Sequence, residues 1–455
     1  MNFESLFEPR NMAVIGVSLT NDRHPANVIY DKNRLRYPLQ VFPVNPQGGK
    51  LHGEQVFRDV SEIPDEVDLA VLAVRAEYVP DVFRSCIKKG VHGAVVVSGG
   101  FAEVGRKDLQ EQIVSIAREG NFPFIGPNCI GVYSPSHVDT FFLANERVIR
   151  PEPGNVALVS QSGGILVDQM IKFAAEGTGM SRAVSIGNKA MLTEIDLLRY
   201  LENDPKTGVI AFYIEGFGHH EGREFVLAAS ACCKPVIVLK SGKTSIGQRA
   251  VSSHTASLAG DYRIFSSILN QYGVVEARNE QELVNFCEAL SRYPRSIQGQ
   301  IGIVTGSGGH GALAADVCAS LGLTIPMLPD SVQQELREGL SPSIRTIASV
   351  SNPVDLTGSC VDDDFLAAVG RLSGMPEIDC VIVLLLPYTP GVTLDLGARL
   401  SQLRRQTGKP LIAYVPHVER YRILIEGFEL NEVPVAHSIE GAVLMAEAMR
   451  RYRPC

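Results

Sequence analysis

The sequence has no excess of basic charge and no apolar run long enough to cross a membrane. Its 42 lysine and arginine residues stand against 50 aspartate and glutamate residues, for a formal net charge of −8. A nucleic-acid-binding protein normally presents a basic face, so this balance argues against that class. The longest apolar runs, such as 380–387, have the length of a strand. The sequence therefore predicts neither nucleic-acid binding nor membrane insertion.

Paired cysteines and a leader segment are also missing. The nine cysteines are scattered, with no CxxC pair and no Cys/His zinc spacing. Scattered thiols in a chain of this size are typical of reduced, mostly buried cysteines in the cytosol. Residues 1–10 carry Glu4, Glu8 and Arg10 and contain no apolar segment of the signal-peptide kind. These features predict a cytoplasmic protein.

Short β-branched apolar runs alternate with helical patterns along all 455 residues. This alternation predicts parallel sheets built from βαβ units, and the length suggests about three domains. Polar, proline and glycine residues gather at 148–155 and 293–299, which we interpret as boundaries. The predicted architecture is α/β, with three doubly wound parallel-sheet domains at 1–148, 149–295 and 296–455. The predicted strands are 12–17, 41–44, 69–74, 94–97, 122–125, 156–159, 183–186, 209–214, 236–239, 301–305, 381–386, 411–415 and, at an edge, 433–436.

Two nucleotide-binding signatures are incomplete. The first strand leads into a turn with Gly16 alone instead of GxGxxG, and Asn45 rather than an acid follows the second strand. An NAD-dependent oxidoreductase is therefore a remote alternative. Residues 241–244 end like a Walker A motif, but Ile237 occupies the position of its first glycine. The sequence predicts no P-loop.

Five turns follow successive strands of the first predicted domain, at 16–18, 42–46, 73–74, 98–101 and 126–131. Ligands of open α/β sheets bind at those carboxyl ends. This set of turns resembles the CoA-binding domain of the succinyl-CoA synthetase superfamily. The resemblance implies that Gly16, Ser18, Pro43, Asn45, Val74, Ser98 and Asn128 surround coenzyme A. Arg75 stands where relatives commonly have proline, and it is either a further ligand of the CoA phosphates or an ordinary surface residue.

One histidine lies in a long stretch of small and polar residues between 239 and 260, which we predict to be a loop before a helix near Asp261. Taken alone, His254 in such a loop is a solvated imidazole. The stretch 252–260, Ser-Ser-His-Thr-Ala-Ser-Leu-Ala-Gly, resembles the phosphohistidine loop of ADP-forming acyl-CoA synthetases. The resemblance implies that His254 carries the phosphoryl group. It also implies that Glu215, at a strand end upstream, fixes the imidazole tautomer.

Two glycine turns each join a strand to a helix, and helix N-termini of this kind favour anions. The first turn contains Ser162, Gly163 and Gly164, and the second contains Gly308 and Gly309. An ordinary helix cap accounts for Ser162 but not for the paired glycines. The resemblance implies that both turns bind one phosphate. His310, where relatives often have proline, is either a ligand or a structural residue of the turn.

The resemblance implies a complete function and fold. The fold is a Rossmann-like CoA-binding domain followed by two flavodoxin-like ligase domains. The chain would be the CoA-binding subunit of an acid-thiol ligase that converts acyl-CoA, phosphate and ADP into a carboxylic acid, CoA and ATP. A separate ATP-grasp beta subunit would supply the nucleotide and Mg²⁺, in a heterodimer or heterotetramer. The alternatives are a CoA- or acyl-CoA-binding regulatory protein of the same family and a phosphotransfer enzyme that does not use CoA.

Overall fold

A computed structural model describes residues 3–218, 220–254 and 261–454, with the backbone alone for 252–254. The chain divides into two compact units, Met1–Arg278 and Asn279–Cys455. Within the first unit there are two large sheets, and within the second there is one. The three-domain division of the chain stays a prediction.

The first sheet of unit one is fully parallel and has five strands. In spatial order they are Gln40–Val44, Asn11–Ile15, Leu69–Leu72, Gly93–Val96 and Phe124–Ile125. Successive residues of Asn11–Ile15 enter different cores: Met12 and Val14 lie in one, Ala13 and Ile15 in the other. Burial on both faces explains why its strands are continuous apolar runs instead of alternating patterns.

The second sheet of unit one contains seven strands. Their spatial order is Val275–Ala277, Val236–Lys240, Val209–Ile214, Pro153–Ser160, Met180–Ser185, Gly131–Ser134 and Val138–Asp139. The last two are antiparallel and extend the sheet beyond Met180–Ser185. One apolar core lies against both sheets of this unit, since it contains Val14 and Val71 as well as Val159 and Phe212.

Unit two is built on a parallel sheet of five strands. Their spatial order is Val354–Asp355, Ile301–Thr305, Cys380–Leu384, Leu411–Tyr414 and Val435–Ala436. Counted along the chain, the parallel strands of all three sheets follow the order 2-1-3-4-5. In this doubly wound arrangement the winding reverses between the first and third strands, where ligands of such folds bind.

Helices and a small hairpin complete the described residues. In unit one the helices are Glu4–Phe7, Pro25–Arg36, Val79–Lys89, Lys107–Glu119, Gly163–Ala175, Glu194–Asn203, Glu221–Ala231, Ser245–His254 and Tyr262–Gln271, and the hairpin pairs Gly49–Leu51 with Glu54–Val56. In unit two they are Glu280–Arg292, Gly308–Leu321, Asp330–Gly339, Asp362–Ser373, Leu396–Thr407, Arg422–Glu429 and Ile439–Arg451. None of these described helices is both long and apolar enough to cross a bilayer.

The structure confirms the α/β class and contains a strand at each predicted run. The prediction that 239–260 is a loop was wrong for 245–254, which form helix Ser245–His254, and residues 255–260 lie outside the described part of the structure. Thr244 starts this helix: its hydroxyl accepts the Gly247 amide at 3.1 Å, and its carbonyl accepts the Gln248 amide at 2.8 Å. A threonine at the first turn stabilises a helix even where small polar residues follow.

Candidate functional site

The first sheet has a cavity of about 350 Å³ where its winding reverses. Four residues of the predicted CoA site line it: Gly16, Asn45, Val74 and Arg75. Gly16 has φ of +103°, and a Cβ there would lie 2.5 Å from the Ala73 carbonyl oxygen. Only glycine allows the two turns to approach this closely.

The cavity-lining side chains that were not predicted from the sequence include His24, Arg58 and Tyr78. None of them lies in a turn directly after a strand of this sheet, so the strand-end pattern could not identify them. Arg58 and Arg75 are two cationic groups in the lining of the cavity. Val60 and Val82 form an apolar part of the same lining. Asp59 also lies in the lining, with its carboxylate accepting the Ser61 amide and hydroxyl. A cavity with both cations and apolar surface suits a ligand that carries phosphates and an organic chain.

The other predicted CoA residues lie along the same edge, outside the lining of this cavity. Pro43 is within strand Gln40–Val44, and the Ser18 hydroxyl accepts the Asn21 amide at 3.1 Å. The Asn128 amide donates to the Ser98 carbonyl at 2.9 Å. Asn128 has φ of +58° and follows the cis peptide bond between Gly126 and Pro127.

The turn at 185–190 joins the two sheets of unit one. A Cβ on Gly187 would lie 2.3 Å from the Pro127 carbonyl oxygen, and the Asn188 amide donates to that oxygen at 2.9 Å. The Asn188 side chain donates to Glu103 at 2.5 Å and contacts Asn128 at 3.3 Å. The turn at 185–190 therefore packs directly on the Gly-Pro-Asn turn of the first sheet.

At the second sheet, the predicted anion turn follows the central strand Pro153–Ser160. Helix Gly163–Ala175 begins with Ser162 as its cap, whose hydroxyl accepts the Ile165 amide at 3.5 Å. Gly164 is exposed, and a Cβ there would meet no atom within 4 Å. A Cβ on Gly163 would lie 3.2 Å from the Ile130 side chain, so this helix N-terminus is open at Gly164 and packed at Gly163.

Glu215 follows the neighbouring strand Val209–Ile214 and is buried, with 5% of its surface exposed. Its amide donates to Oε1 of Gln161 at 2.6 Å, and its carbonyl accepts Nζ of Lys240 at 2.7 Å. Burial lowers the pKa of Lys240 to about 8, although the Glu215 charge opposes this shift. Gln161 and Lys240 could not be predicted as site residues from the sequence, because their contacts depend on which strands are neighbours.

His254 is the last residue of helix Ser245–His254, and its side chain lies outside the described part of the structure, as do residues 255–260. Upstream, Lys243 of the rejected Walker-like segment donates to the Arg278 carbonyl at 2.8 Å. Its ammonium also lies 5.2 Å from the centre of the Tyr262 ring. These contacts give Lys243 a structural role without a P-loop.

In unit two, Gly308 and Gly309 open helix Gly308–Leu321 and are exposed. A Cβ on Gly308 would lie 2.9 Å from Oδ2 of Asp355, so a carboxylate lies beside this helix N-terminus. The rings of His310 and Tyr414 are 6.1 Å apart at the same edge of the sheet.

Comparisons with known proteins match these parts of the chain in order. Three family models match: a CoA binding domain at 10–135, a succinyl-CoA ligase-like flavodoxin domain at 153–290 and a ligase-CoA domain at 301–412. The alpha subunit of ADP-forming acetate–CoA ligase I from Pyrococcus furiosus is 32% identical over 99% of this chain and 98% of its own length. The chain belongs to the family of ADP-forming acyl-CoA synthetases.

Other members of this family agree in fold and differ in length. A solved acetyl-CoA synthetase 1 from Candidatus Korarchaeum cryptofilum, in complex with phosphate and ADP, matches with a TM-score of 0.89 and 31% identity, over 99% of this chain and 97% of that one. ADP-forming acetate–CoA ligase I of Archaeoglobus fulgidus is 36% identical over 84% of this chain, which covers 55% of that relative. This chain therefore spans about half the length of some family members.

Proposed function

We propose that the chain is the CoA-binding catalytic subunit of an ADP-forming acyl-CoA synthetase. The observation that carries this proposal is the pair of turns at the second sheet. The open helix N-terminus at Ser162, Gly163 and Gly164 follows one central strand, and the buried Glu215 follows its neighbour. An anion site beside a buried carboxylate is the arrangement that phosphoryl transfer through a histidine needs, because catalysis there depends on positioning and charge.

In the proposed reaction, phosphate attacks the thioester carbon of acyl-CoA, which releases CoA and forms an acyl phosphate. His254 then attacks phosphorus, the carboxylate leaves, and the phosphohistidine passes its phosphoryl group to ADP. Glu215 accepts a hydrogen bond from one imidazole nitrogen so that the other is the nucleophile. The amides at Ser162, Gly163 and Gly164 hold phosphate, and Gly308 and Gly309 stay a predicted second contact with it.

We propose that CoA binds at the cavity of the first sheet. Gly16 lines this cavity without a side chain, and Arg58 and Arg75 supply the charge that phosphates require. Asn45 and Val74 lie in the same lining, while Ser18, Pro43, Ser98 and Asn128 extend the proposed site along the sheet edge.

We also propose a partner subunit of the ATP-grasp type that brings ADP or ATP with Mg²⁺, in a heterodimer or heterotetramer. Support comes from the match to nearly the whole length of a relative named subunit alpha and to half the length of another relative. Of the eight cysteines in the described residues, seven are buried. Scattered, buried cysteines are typical of a reducing compartment, so we propose a cytoplasmic location.

The test of this function is phosphorylation of His254. The purified chain, mixed with its nucleotide-binding partner, Mg²⁺ and ATP, is expected to gain an acid-labile mass of about 80 Da, one phosphoryl group. His254→Ala is expected to gain none, as measured by intact-protein mass spectrometry. His417→Ala, a change at another histidine, serves as the control and should be modified like the wild type.

The same experiment separates the alternatives. If the wild type stays unmodified while its partner binds ATP, the phosphohistidine mechanism is wrong, and a CoA-binding regulatory protein becomes the better account. If it is phosphorylated but binds no CoA, the chain is a phosphotransfer enzyme with a different substrate.

Removing one cation from the cavity is expected to weaken CoA binding. Arg75→Ala should raise the dissociation constant of CoA by roughly tenfold, because a charge-assisted hydrogen bond to phosphate contributes about 1.5 kcal/mol or more. Isothermal titration calorimetry measures this change. Arg84→Ala is the matched control, since Arg84 is paired with Asp81 at 2.7 Å on the nearby helix Val79–Lys89. Equal CoA affinity in both variants would show that Arg75 is an ordinary surface residue.

A further inference from the structure

One buried amide side chain connects the proposed phosphate turn with the turn that carries Glu215. Gln161 directly precedes Ser162 and has 6% of its surface exposed. Its Oε1 accepts the amides of Glu215 at 2.6 Å and Gly216 at 3.0 Å. Its Nε2 donates to the Gly216 carbonyl at 2.7 Å and to the Glu194 carboxylate. Four hydrogen bonds thus use both ends of this side chain.

The surrounding groups fix the orientation of this amide. Backbone N–H groups only donate, so the end of Gln161 that faces the Glu215 and Gly216 amides must be its oxygen. Carboxylates and carbonyls only accept, so the opposite end must be its nitrogen. Glu194 is itself buried, at 1% exposure, and Lys189 balances its charge at 3.2 Å. A flipped amide would place its NH₂ group against the two backbone N–H groups and its oxygen against the carboxylate and the carbonyl.

Lys189 strengthens the same turn from a second direction. Its ammonium donates to the Gly216 carbonyl at 3.2 Å and to Glu221 at 3.0 Å. Burial alone would raise the pKa of Glu221, but the Lys189 charge and the Gly218 amide bring it below its usual value. Gly216 is therefore hydrogen-bonded through both its amide and its carbonyl.

We infer that Gln161 is a positioning residue that fixes the Glu215 turn relative to the phosphate turn, so that carboxylate and phosphate are held in register for transfer through the histidine. The inference rests on the proposed function. The two turns follow adjacent strands, Pro153–Ser160 and Val209–Ile214, whose ladder ends with Ser160 opposite Tyr213. Beyond that point the Gln161 side chain continues the connection between them.

The test replaces Gln161 with methionine, which has a similar shape but can make none of these hydrogen bonds. We expect Gln161→Met to slow phosphorylation of the histidine by about 10- to 100-fold, the cost of a small misplacement of a catalytic group. The loss should appear in the rate at saturating ATP and partner subunit, with little change in the half-saturating ATP concentration. Hydrogen exchange measured by mass spectrometry should become faster in the peptide that contains Glu215 and Gly216.

Gln169→Met is the matched control. Gln169 is fully buried on helix Gly163–Ala175, and neither polar atom of its side chain has a hydrogen-bond partner within the described ranges. The same chemical change there should leave both the phosphorylation rate and the exchange of the Glu215 peptide unchanged. Thermal unfolding of both variants shows whether a lost rate reflects a misfolded chain.

A second variant keeps the inference testable if Gln161→Met does not fold. Q161E retains an oxygen for the two amides but sets a second carboxylate against Glu194 and the Gly216 carbonyl. We therefore expect phosphorylation of the histidine to be slowed in Q161E at least as much as in Gln161→Met.

The inference is overturned if a folded Gln161 variant is phosphorylated at the wild-type rate or if exchange at Glu215 and Gly216 does not change. If the wild type itself is never phosphorylated, the proposed function fails, and with it the role in transfer; faster exchange would then show only a structural contact.

Discussion

Asp139→Asn is expected to lower the free energy of unfolding of the first unit by about 3 to 5 kcal/mol, the cost of leaving buried charges without their partner. The Asp139 side chain is fully buried and has two cationic neighbours. Nζ of Lys32 lies 2.8 Å from one carboxylate oxygen, and Nε of Arg150 lies 2.5 Å from the other. Lys32 and Arg150 are themselves 4% and 9% exposed. Asparagine keeps the shape of the side chain but removes the charge that both cations need.

This cluster joins parts of the fold that are far apart in sequence. Lys32 and Asn33 belong to helix Pro25–Arg36 of the first sheet, whereas Asp139 belongs to the antiparallel edge of the second. Asn33 also bonds the backbone of Asp139 in both directions, at 2.7 and 3.0 Å. Loss of the Asp139 charge should therefore weaken the packing of the two sheets as well as the edge strand itself.

The pH dependence provides a further check on the Asp139 prediction. Burial lowers the pKa of Lys32 to about 8, and the Asp139 charge opposes that shift. The folded-state pKa lies below that of the unfolded chain, so the free-energy cost of the buried ammonium is fully present below about pH 8 and is lost as the pH rises from there toward the unfolded pKa. In Asp139→Asn this pKa falls further. The stability gap to the wild type should therefore narrow as the pH rises toward 8.

Chemical denaturation followed by circular dichroism at several pH values measures this gap. Asp81→Asn is the control: its ion pair with Arg84 is exposed, with 82% and 54% of the two side chains accessible. That change should cost less than about 1 kcal/mol. An Asp139→Asn protein as stable as the control would show that the buried cluster contributes no net stability.

The sequence predicted the central strands and missed several strands at or near the sheet edges. Runs such as Val209–Ile214 and Ile301–Thr305 are buried on both faces, so they consist of apolar residues that are visible without any structure. Val138–Asp139 and Val354–Asp355 have two residues each, too few for a pattern. They are strands because their neighbours pair with them, and that information is tertiary.

The same distinction applies to the candidate site. Gly16, Asn45, Val74 and Arg75 lie at or after recognisable strand ends, the resemblance assigned them to a CoA site, and the four line one cavity. Arg58 and Tyr78 reach that cavity from segments outside the strand-end turns. Gln161 and Lys240 contact the Glu215 turn only because Pro153–Ser160 and Val236–Lys240 flank Val209–Ile214 in the sheet. Strand order of this kind is not encoded in local pattern.

Glu215→Gln is expected to slow phosphorylation of His254 by about 10²- to 10⁴-fold, the usual contribution of a group that orients and assists a nucleophile or base. Glutamine has the same size, but its amide cannot stabilise the positive charge that develops on the imidazole. The backbone contacts of this turn, to Gln161 and Lys240, do not involve the side chain that changes. The variant should therefore keep these backbone contacts while losing transfer.

Removal of the carboxylate also changes Lys240. The Glu215 charge raises the pKa of this buried lysine against the effect of burial, which leaves the value at about 8. Without that charge the pKa should fall further, so that Lys240 loses its proton nearer neutral pH. Stability of Glu215→Gln relative to the wild type should then improve as the pH is raised toward 8, because the unfolded lysine keeps its proton and the folded one does not.

Single-turnover phosphorylation with ATP, Mg²⁺ and the partner subunit measures the rate, and thermal unfolding measures stability. Glu224→Gln is the matched control, because Glu224 is exposed on helix Glu221–Ala231 and pairs with Arg199 at 2.7 Å. It should phosphorylate at the wild-type rate. If Glu215→Gln is also phosphorylated at the wild-type rate, the carboxylate has no role in orienting the histidine, and its burial beside Lys240 is structural. A slow Glu215→Gln with normal stability would instead place the carboxylate in the transfer step, since a purely structural carboxylate has no reason to affect rate alone.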